Sequence, residues 1–187
     1  MCIIDIVMPQ YTSIDDHTLV ARCLDQSSQH QKALYDRYYP QVYPAARRIL
    51  IDQALTEDAL QEAWVQVFQK MHQWNRQGPL GAWIRRIVVR QALQILRSRR
   101  DLPWIDGLEP IAEPSRDETN ISVQHIRQAA EQLPDGARAV FSLYLIEGYT
   151  HEEISQIVGI SQSTSKTQLH RAKALLRQSL SKYTHGS

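Results

Sequence analysis

The chain has 187 residues, of which 43% are hydrophobic, so it can form one or two domains with substantial cores. It has only seven glycines and no regular alternation of apolar and polar residues, which argues against β structure and favours an all-α fold. No apolar run approaches the ~20 residues of a membrane-spanning helix, and residues 1–14 contain no Lys or Arg. We therefore expect a cytoplasmic protein with no signal peptide and no membrane insertion.

Charge is unevenly distributed along the chain, although the net charge is only +1. Residues 84–100 carry six arginines and no acid, residues 101–118 carry six acids, and residues 154–187 carry five cations and no acid. Two basic segments that flank an acidic one predict two separate contacts with a polyanion. Cys2 and Cys23 have no partner at metal-ligand spacing, so we expect free thiols, no metal site and no cofactor.

Two helices are predicted after an N-terminal tail of residues 1–14. Ser13 with Asp16 marks the start of the first, whose buried stripe comprises Leu19, Val20, Cys23 and Leu24. The second runs from about residue 29 to 50, and its buried side comprises Leu34, Tyr35, Tyr38, Tyr39, Val42, Tyr43 and Ala46. Pro40 and Pro44 are expected to kink or interrupt it, because each removes a backbone donor.

The third helix, TEDALQEAWVQVFQKMHQW, is predicted to begin at Thr56. Its spacing buries Leu60, Ala63, Trp64, Val67, Phe68 and Met71. Its outward side chains are Asp58, Gln61, Glu62, Val65 and Gln66. This acidic face is either simply solvated or a docking face for a basic or polar partner.

A turn at residues 75–79 precedes the fourth helix, LGAWIRRIVVRQALQILRSRR, with Pro79 at its first position. Its apolar positions are Trp83, Ile84, Ile87, Val88, Leu93, Ile95 and Leu96, and its exposed arginines are Arg85, Arg86, Arg90 and Arg97. No acid at helical spacing neutralises these arginines, which favours an external anion over simple snorkelling. Trp74 and Trp83 bracket the turn and either lie in the core or stack on bases.

Residues 101–120 contain three prolines among the six acids and predict a poorly ordered acidic linker. A helix from about residue 121 to 132 follows, and another from about 134 to 147. The inward residues of the latter are predicted to be Ala137, Val140, Phe141, Tyr144 and Leu145.

Residues 147–177 have the pattern of a helix-turn-helix. Thr150 with Glu153 predicts a capping box on the first helix, Gly159 can adopt the left-handed conformation of the turn, and Ser161 can cap the second helix. That helix points Leu169, Ala172, Leu176 and Leu180 inward. The opposite face carries Gln162, Ser163, Lys166, Thr167, His170, Lys173 and Arg177. Short polar groups followed by cations suit contacts with the base edges and phosphates of DNA, which favours DNA binding by this helix. The alternative interpretation is that these residues form the solvated basic end of an ordinary helical hairpin.

The segments ALYDRYYPQVY, DALQEAWVQVF, GPLGAWIRRIV, LPDGARAVFSLYLIEGYTHEEISQIVGIS and STSKTQLHRAK occur in this order. On these segments the chain, from about Asp15 to Leu180, resembles the extracytoplasmic-function group of bacterial RNA polymerase sigma factors. The resemblance implies an all-α protein with a sigma region 2 domain over residues 15–100. It further implies a flexible acidic linker over 101–120 and a winged-helix-like, helix-turn-helix region 4 domain over 121–183.

The resemblance also implies a function, which is to bind core RNA polymerase and direct promoter recognition, DNA melting and transcription initiation. The residues implied to bind the clamp of the largest polymerase subunit are Asp58, Gln61, Glu62 and Val65. Those implied to contact the downstream promoter element, where one base is flipped out, are Trp74, Asn75, Trp83, Arg85, Arg86, Arg90 and Arg97. Those implied to contact the upstream element are Gln162, Ser163, Lys166, Thr167, His170, Arg171 and Lys173. An anti-sigma factor is a further implied partner.

Three positions depart from the pattern of many family members, which have Asn at Arg90, Val at Ser165 and Arg at Gln168. An inward Ser165 is expected to weaken the packing of the recognition helix. A stand-alone helix-turn-helix regulator is the alternative function, but it would not need the DALQE face or the arginine helix. An enzyme is not expected, because His151-Glu152-Glu153-Ile154-Ser155 lacks the second His of a zinc-protease helix and no phosphate-binding glycine loop is present.

Overall fold

A computed structural model of the chain describes residues 14–98 and 122–181, and every regular element in these ranges is helical. The helices are α1 (Asp16–Leu24), α2 (Ser28–Leu50), α3 (Gln53–Lys70), α4 (Leu80–Ser98), α5 (Val123–Glu131), α6 (Asp135–Phe141), α7 (His151–Val158) and α8 (Gln162–Ser181). A 3₁₀ turn, Met71–Gln73, follows α3, and a π-helical turn, Ser142–Ile146, follows α6. The all-α prediction is confirmed, whereas the N-terminal tail and the acidic linker at 101–120 lie outside the described residues.

The chain divides into two compact units, and the division passes through α2 and α4. The first unit comprises residues 1–46 and 54–92, and the second comprises residues 47–53 and 93–187. The ends of α2 and α4 are therefore part of the same unit as the C-terminal helices. No helix within the described ranges is long and apolar enough to cross a membrane.

α1 begins at Asp16 and is capped by Asp15. The Asp15 carboxylate accepts hydrogen bonds from the backbone N–H groups of His17 and Thr18, at 2.9 and 3.0 Å, and from the Thr18 hydroxyl at 2.7 Å. These bonds, chiefly those from Thr18, hold the pKa of Asp15 below its usual value. The predicted burial of Leu24 is wrong, because this last residue of α1 faces solvent.

α2 is continuous through Pro40 and Pro44, so the predicted interruption does not occur. Both prolines are exposed and lie four residues apart on one face. The carbonyls that lose their helical donors can therefore be hydrated. On a neighbouring face Tyr35 is exposed, against the prediction of burial, and its ring contacts Tyr39 and Trp64, each with centroids 4.9 Å apart.

The core of the first unit is mostly apolar. α3 begins three residues before the predicted Thr56, which is fully buried. Fully buried side chains of this core include Leu34, Leu60, Val67, Met71, Leu80, Ile84 and Val88. Gly81 lets α4 pack closely on α2, since a Cβ there would lie 2.9 Å from Tyr38 Cε1. Tyr38 in turn donates from its hydroxyl to Asp16 Oδ2 at 2.7 Å, which ties α2 to α1.

In the second unit, the helix-turn-helix formed by α7 and α8 packs against α5, α6 and the π-helical turn. The predicted single helix over 134–147 is wrong in its second half, because the π-helical turn changes the side-chain register after Phe141. Tyr144 and Leu145, predicted to face inward, are exposed for this reason. The side chain of Arg138 is buried instead and donates to the carbonyls of Leu133 and Ile49, at 2.7 and 3.2 Å, and to Asp135.

Candidate polymerase-binding and nucleic-acid surfaces

The first candidate surface is the outward face of α3. Asp58, Gln61, Glu62 and Val65 are all exposed, and their spacing places them along one side of the helix. Val65 adds an apolar side chain, 52% exposed, beside three polar neighbours. No described residue forms an ion pair with Asp58 or Glu62. The structure thus brings the four residues predicted to bind polymerase onto one open face.

The second candidate surface begins at the turn between α3 and α4. Trp74 is half-buried, its Nε1 donates to the Gly78 carbonyl at 3.2 Å, and its ring lies 5.2 Å from that of His17. The Asn75 side chain accepts from the Gln77 N–H at 3.1 Å. These two predicted DNA contacts therefore also hold the turn in shape, and the next residue, Arg76, adopts a positive φ of 63°.

The arginines of α4 are not equivalent. Arg86 and Arg90 are exposed and form no hydrogen bond or ion pair with the described residues. Arg85 donates to the Gln41 carbonyl at 3.2 Å. Arg97 donates to the Ile157 carbonyl, also at 3.2 Å, at the end of α7. Trp83, on the same helix, is half-buried. Arg86 and Arg90 are consequently the α4 cations most available to an external phosphate.

The third candidate surface is the helix-turn-helix formed by α7 and α8. Its predicted capping box is present: the Thr150 hydroxyl accepts from the Glu153 N–H at 3.2 Å, and the Glu153 carboxylate accepts from the Thr150 N–H at 2.9 Å. Gly159 has a φ of 71°, in the left-handed region, as the turn requires. The Ser161 hydroxyl accepts from the Thr164 N–H at 2.9 Å and caps α8. Local sequence signals thus account for the turn.

α8 presents its predicted contact residues to solvent, with two exceptions. Gln162, Ser163, Lys166, His170 and Lys173 are exposed, whereas Thr167 and Arg171 are half-buried. The Thr167 hydroxyl donates to the Ser163 carbonyl at 3.1 Å within the helix. On the inward side Leu169, Ala172 and Leu176 are buried as predicted, and Leu180 is half-buried. The exposed face is polar at its first turn and cationic further along.

The polar departures at Ser165 and Gln168 are buried in α8. Ser165 is fully buried, and its hydroxyl lies 2.9 Å from Nδ1 of His151 at the start of α7. The imidazole of His151 also stacks on the ring of Tyr144, with centroids 4.4 Å apart and planes 21° apart. Sequence reasoning missed this contact, although Ser165 in an otherwise apolar stripe was its signal. The hydrogen bond satisfies the buried Ser165 hydroxyl.

Neither the cysteine nor the acidic residues form a chemical site in the described ranges. Cys23 is buried, and burial raises the pKa of its thiol to about 11, which makes it a poor nucleophile. No group of three or more potential metal ligands occurs among these residues.

Comparisons with known proteins match both halves of the chain. The family profile described as Sigma-70 region 2 matches residues 34–101, and that described as Sigma-70, region 4 matches residues 124–176. The chain belongs to the sigma-70 family, in its extracytoplasmic-function group. The first profile spans α3 and α4 with the turn between them, and the second spans the helix-turn-helix.

Two relatives illustrate the similarity within the family. The probable RNA polymerase sigma factor RfaY of Xanthomonas campestris is 30% identical over 145 residues, which cover 72% of this chain and 36% of RfaY. The ECF RNA polymerase sigma factor SigE of Mycolicibacterium smegmatis is 26% identical over 160 residues, which cover 81% of this chain and 62% of SigE. The chain therefore spans less than two thirds of the length of these two relatives.

A solved structure shares the fold. The sigma factor RpoE of Bartonella quintana, solved with the anti-sigma factor NepR, superposes with a TM-score of 0.54. The alignment has 20% sequence identity and covers 80% of this chain and 96% of RpoE. At this identity the match supports the fold of this chain.

Proposed function

We propose that this chain binds core RNA polymerase and directs promoter recognition, DNA melting and transcription initiation as an alternative sigma factor. The observation that carries the proposal is the presence of sigma-70 regions 2 and 4, in that order, in one chain. A sigma factor leaves the chemistry to the polymerase, so the proposed role is not enzymatic. It would be exerted where the polymerase and the DNA are, in the cytoplasm, and an anti-sigma factor would be the regulatory partner.

The direct experiment is transcription in vitro from genomic fragments. Purified protein added to core polymerase should produce transcripts with defined start sites, whereas neither component alone should do so. A stand-alone helix-turn-helix regulator would bind DNA fragments but would leave core polymerase unable to initiate at defined sites. That second result would refute the proposal.

The exposed face of α3 is the proposed contact with the polymerase clamp. Asp58, Gln61, Glu62 and Val65 offer two carboxylates and an amide around an exposed apolar side chain, a combination that suits a basic or polar helix on the partner. The double substitution Asp58→Arg with Glu62→Arg should abolish co-purification with core polymerase, because both charges meet the partner with the wrong sign.

The matched control for this experiment is Asp25→Arg. Asp25 is exposed at the end of α1 and is not among the residues of the proposed contact, so its reversal should leave co-purification unchanged. Because all three side chains face solvent, circular dichroism should show that the variants remain folded. Retention of the polymerase by the double variant would exclude the proposed α3 contact.

The turn after α3 and the arginines of α4 are the proposed contacts with the downstream promoter element. Arg86 and Arg90 are exposed cations for the phosphate backbone, and Trp74 and Asn75 lie on a shaped turn that could receive a base extruded from the duplex. Arg85, Arg97 and Trp83 complete the proposed set, although Arg85 and Arg97 each already donate to a backbone carbonyl.

The exposed face of α8 is the proposed contact with the upstream element. Gln162 and Ser163 lie at its N-terminal turn, where recognition helices meet base edges, and Lys166, His170 and Lys173 follow. The half-buried Thr167 and Arg171 complete the set. Lys166→Ala should weaken duplex binding across sequences and lower the slope of log K against log salt by about one. Lys32→Ala in α2, where the ammonium already pairs with Asp36, is the control and should leave the slope unchanged.

A further inference from the structure

His151 is held in one orientation by two contacts. Its Nδ1 shares a hydrogen bond of 2.9 Å with the hydroxyl of the fully buried Ser165, and one face of its ring is covered by Tyr144. The hydroxyl can donate to Nδ1 or accept from it, so this bond is compatible with both the neutral and the protonated imidazole. The ring therefore stays in place when its charge changes.

The other ring nitrogen is available to a ligand. Nε2 of His151 forms no hydrogen bond with the described residues, and the side chain is partly exposed at the start of α7. A fixed, partly exposed N–H donor suits an oxygen of a phosphate group.

The charged groups around His151 on the packed elements are cationic. α8 contributes Lys166 and Lys173, and the π-helical turn contributes the neutral Tyr144. On α7 itself, the Glu153 carboxylate is engaged by Thr150, and Glu152 is exposed. Burial, and then the two lysines, hold the pKa of His151 below its usual value, so the free protein carries it neutral at neutral pH.

We propose that His151 Nε2 forms a backbone-phosphate site together with Lys166 and Lys173, and that a DNA phosphate bound there is accompanied by protonation of the imidazole. This inference rests on the proposed binding of DNA by α8. The phosphate offsets the repulsion from the two lysines and accepts a charge-assisted hydrogen bond from the imidazolium. Because a phosphate contact of this kind is the same for every DNA sequence, it would position α8 for its base contacts and would not itself discriminate between promoter sequences.

The sign of the pH dependence follows from linkage. The pKa of His151 is lowered in the free protein and is higher in the complex, so binding takes up a proton between these two values. Affinity should therefore rise as pH falls through the pKa of the complex, and it should level off below the lowered pKa of the free protein. Within that window one coupled proton changes the dissociation constant by up to about tenfold per pH unit.

The test uses the whole 187-residue chain and a fluorescently labelled duplex of mixed sequence, with anisotropy titrations at constant salt from about pH 8 to about pH 5.5. The wild type should bind more tightly at the acid end. His151→Gln keeps a side-chain partner for Ser165 but cannot titrate. The dissociation constant of this variant for the duplex should therefore change several-fold less over the pH range than that of the wild type. His72→Gln is the matched control, because His72 is an exposed histidine in the 3₁₀ turn after α3 and is not among the proposed contacts, so this variant should keep the pH dependence of the wild type.

A direct readout separates protonation from a merely structural effect. The ring proton shifts of His151, followed by NMR against pH, should give a higher pKa in the complex with the duplex than in the free protein. An unchanged pKa on binding, or an equal pH dependence of affinity in wild type and His151→Gln, would overturn the inference.

The same titrations separate this inference from the function on which it rests. If Lys166→Ala lowers the salt slope while His151→Gln leaves the pH dependence unchanged, only the role of His151 is excluded. If Lys166→Ala has no effect on the slope and His151→Gln has none on the pH dependence, both the α8 contact and the phosphate site fail.

Discussion

The two units of this member of the sigma-70 family bury different kinds of side chains. Of the seven buried polar or charged residues in the described ranges, five lie in the second unit: Arg138, Ser142, Thr164, Ser165 and Gln168. The first unit is instead filled by aliphatic side chains and by the close approach of Gly81 to Tyr38. Stability should therefore depend mainly on shape in the first unit and more on satisfied hydrogen bonds in the second.

The largest expected effect tests the polar side of this comparison. Arg138→Met removes the donors to the Ile49 and Leu133 carbonyls and the guanidinium that pairs with Asp135. The second unit should lose about 3 kcal/mol, as when one partner of a buried pair is removed. Amide hydrogen exchange of peptides from α6 to α8 would measure the loss.

The control for this substitution is Arg127→Met on α5. Arg127 is exposed and pairs with Glu131 one turn later, so its removal should change stability by less than about 0.5 kcal/mol. Equal protection in the two variants would mean that the buried guanidinium adds nothing to the second unit.

The second prediction tests the packing side of the comparison. Gly81→Ala places a Cβ 2.9 Å from Tyr38 Cε1, so the tyrosine must move and its hydrogen bond to Asp16 is strained. We expect a loss of about 2 kcal/mol from overpacking in the first unit. Urea unfolding followed by tryptophan fluorescence would report it, because three of the four tryptophans, Trp64, Trp74 and Trp83, lie in the first unit.

Gly78→Ala is the natural comparison for this variant. A Cβ at Gly78 meets nothing within 4 Å, and its φ is not in the left-handed region. Its unfolding midpoint should stay close to that of the wild type. If the two alanine variants unfold at the same urea concentration, close packing of α4 on α2 does not limit the first unit.

The smallest expected effect concerns the cap of α7. Thr150→Ala removes one half of the capping box and should cost about 1 kcal/mol. Exchange should accelerate in α7 and leave the first unit unaffected. Ser155→Ala deletes a hydroxyl that donates to a carbonyl of the same helix, and it should have little effect on stability. If Ser155→Ala lowered the stability of α7 as much as Thr150→Ala does, the loss could not be assigned to the cap.

The comparison also explains which sequence predictions succeeded. The capping box at Thr150, the left-handed Gly159 and the Ser161 cap are local signals, in which a residue bonds to backbone within a few positions. Such signals can be read without knowing the fold. The outward face of α3 was likewise readable, because helical spacing alone separates Asp58 and Glu62 from the buried Leu60 and Val67.

The wrong predictions arose where the folded chain departed from the regular helical pattern that the sequence suggests. Tyr144 and Leu145 follow a helical stripe in sequence, but the π-helical turn rotates them outward. Pro40 and Pro44 would break an isolated helix, yet both lie on the solvated side of α2. Burial of Arg138 and the pairing of His151 with Ser165 could not be predicted, because their partners come from elements brought together only by folding.

The order of residues in this chain was enough to predict most of its helices, its turn chemistry, its family and the sides of α3 and α8 that face solvent. It did not predict the π-helical turn after α6 or the continuity of α2 through its prolines. The features that it did predict depend on interactions between residues at most four positions apart, or on motifs whose residues are contiguous in the sequence. The tertiary structure decided which arginines are already engaged by backbone carbonyls and which polar side chains could be buried. It also decided that an imidazole is fixed beside the lysines of α8. A buried polar group is tolerated only when its partner is in place, and that partner is set by three-dimensional packing.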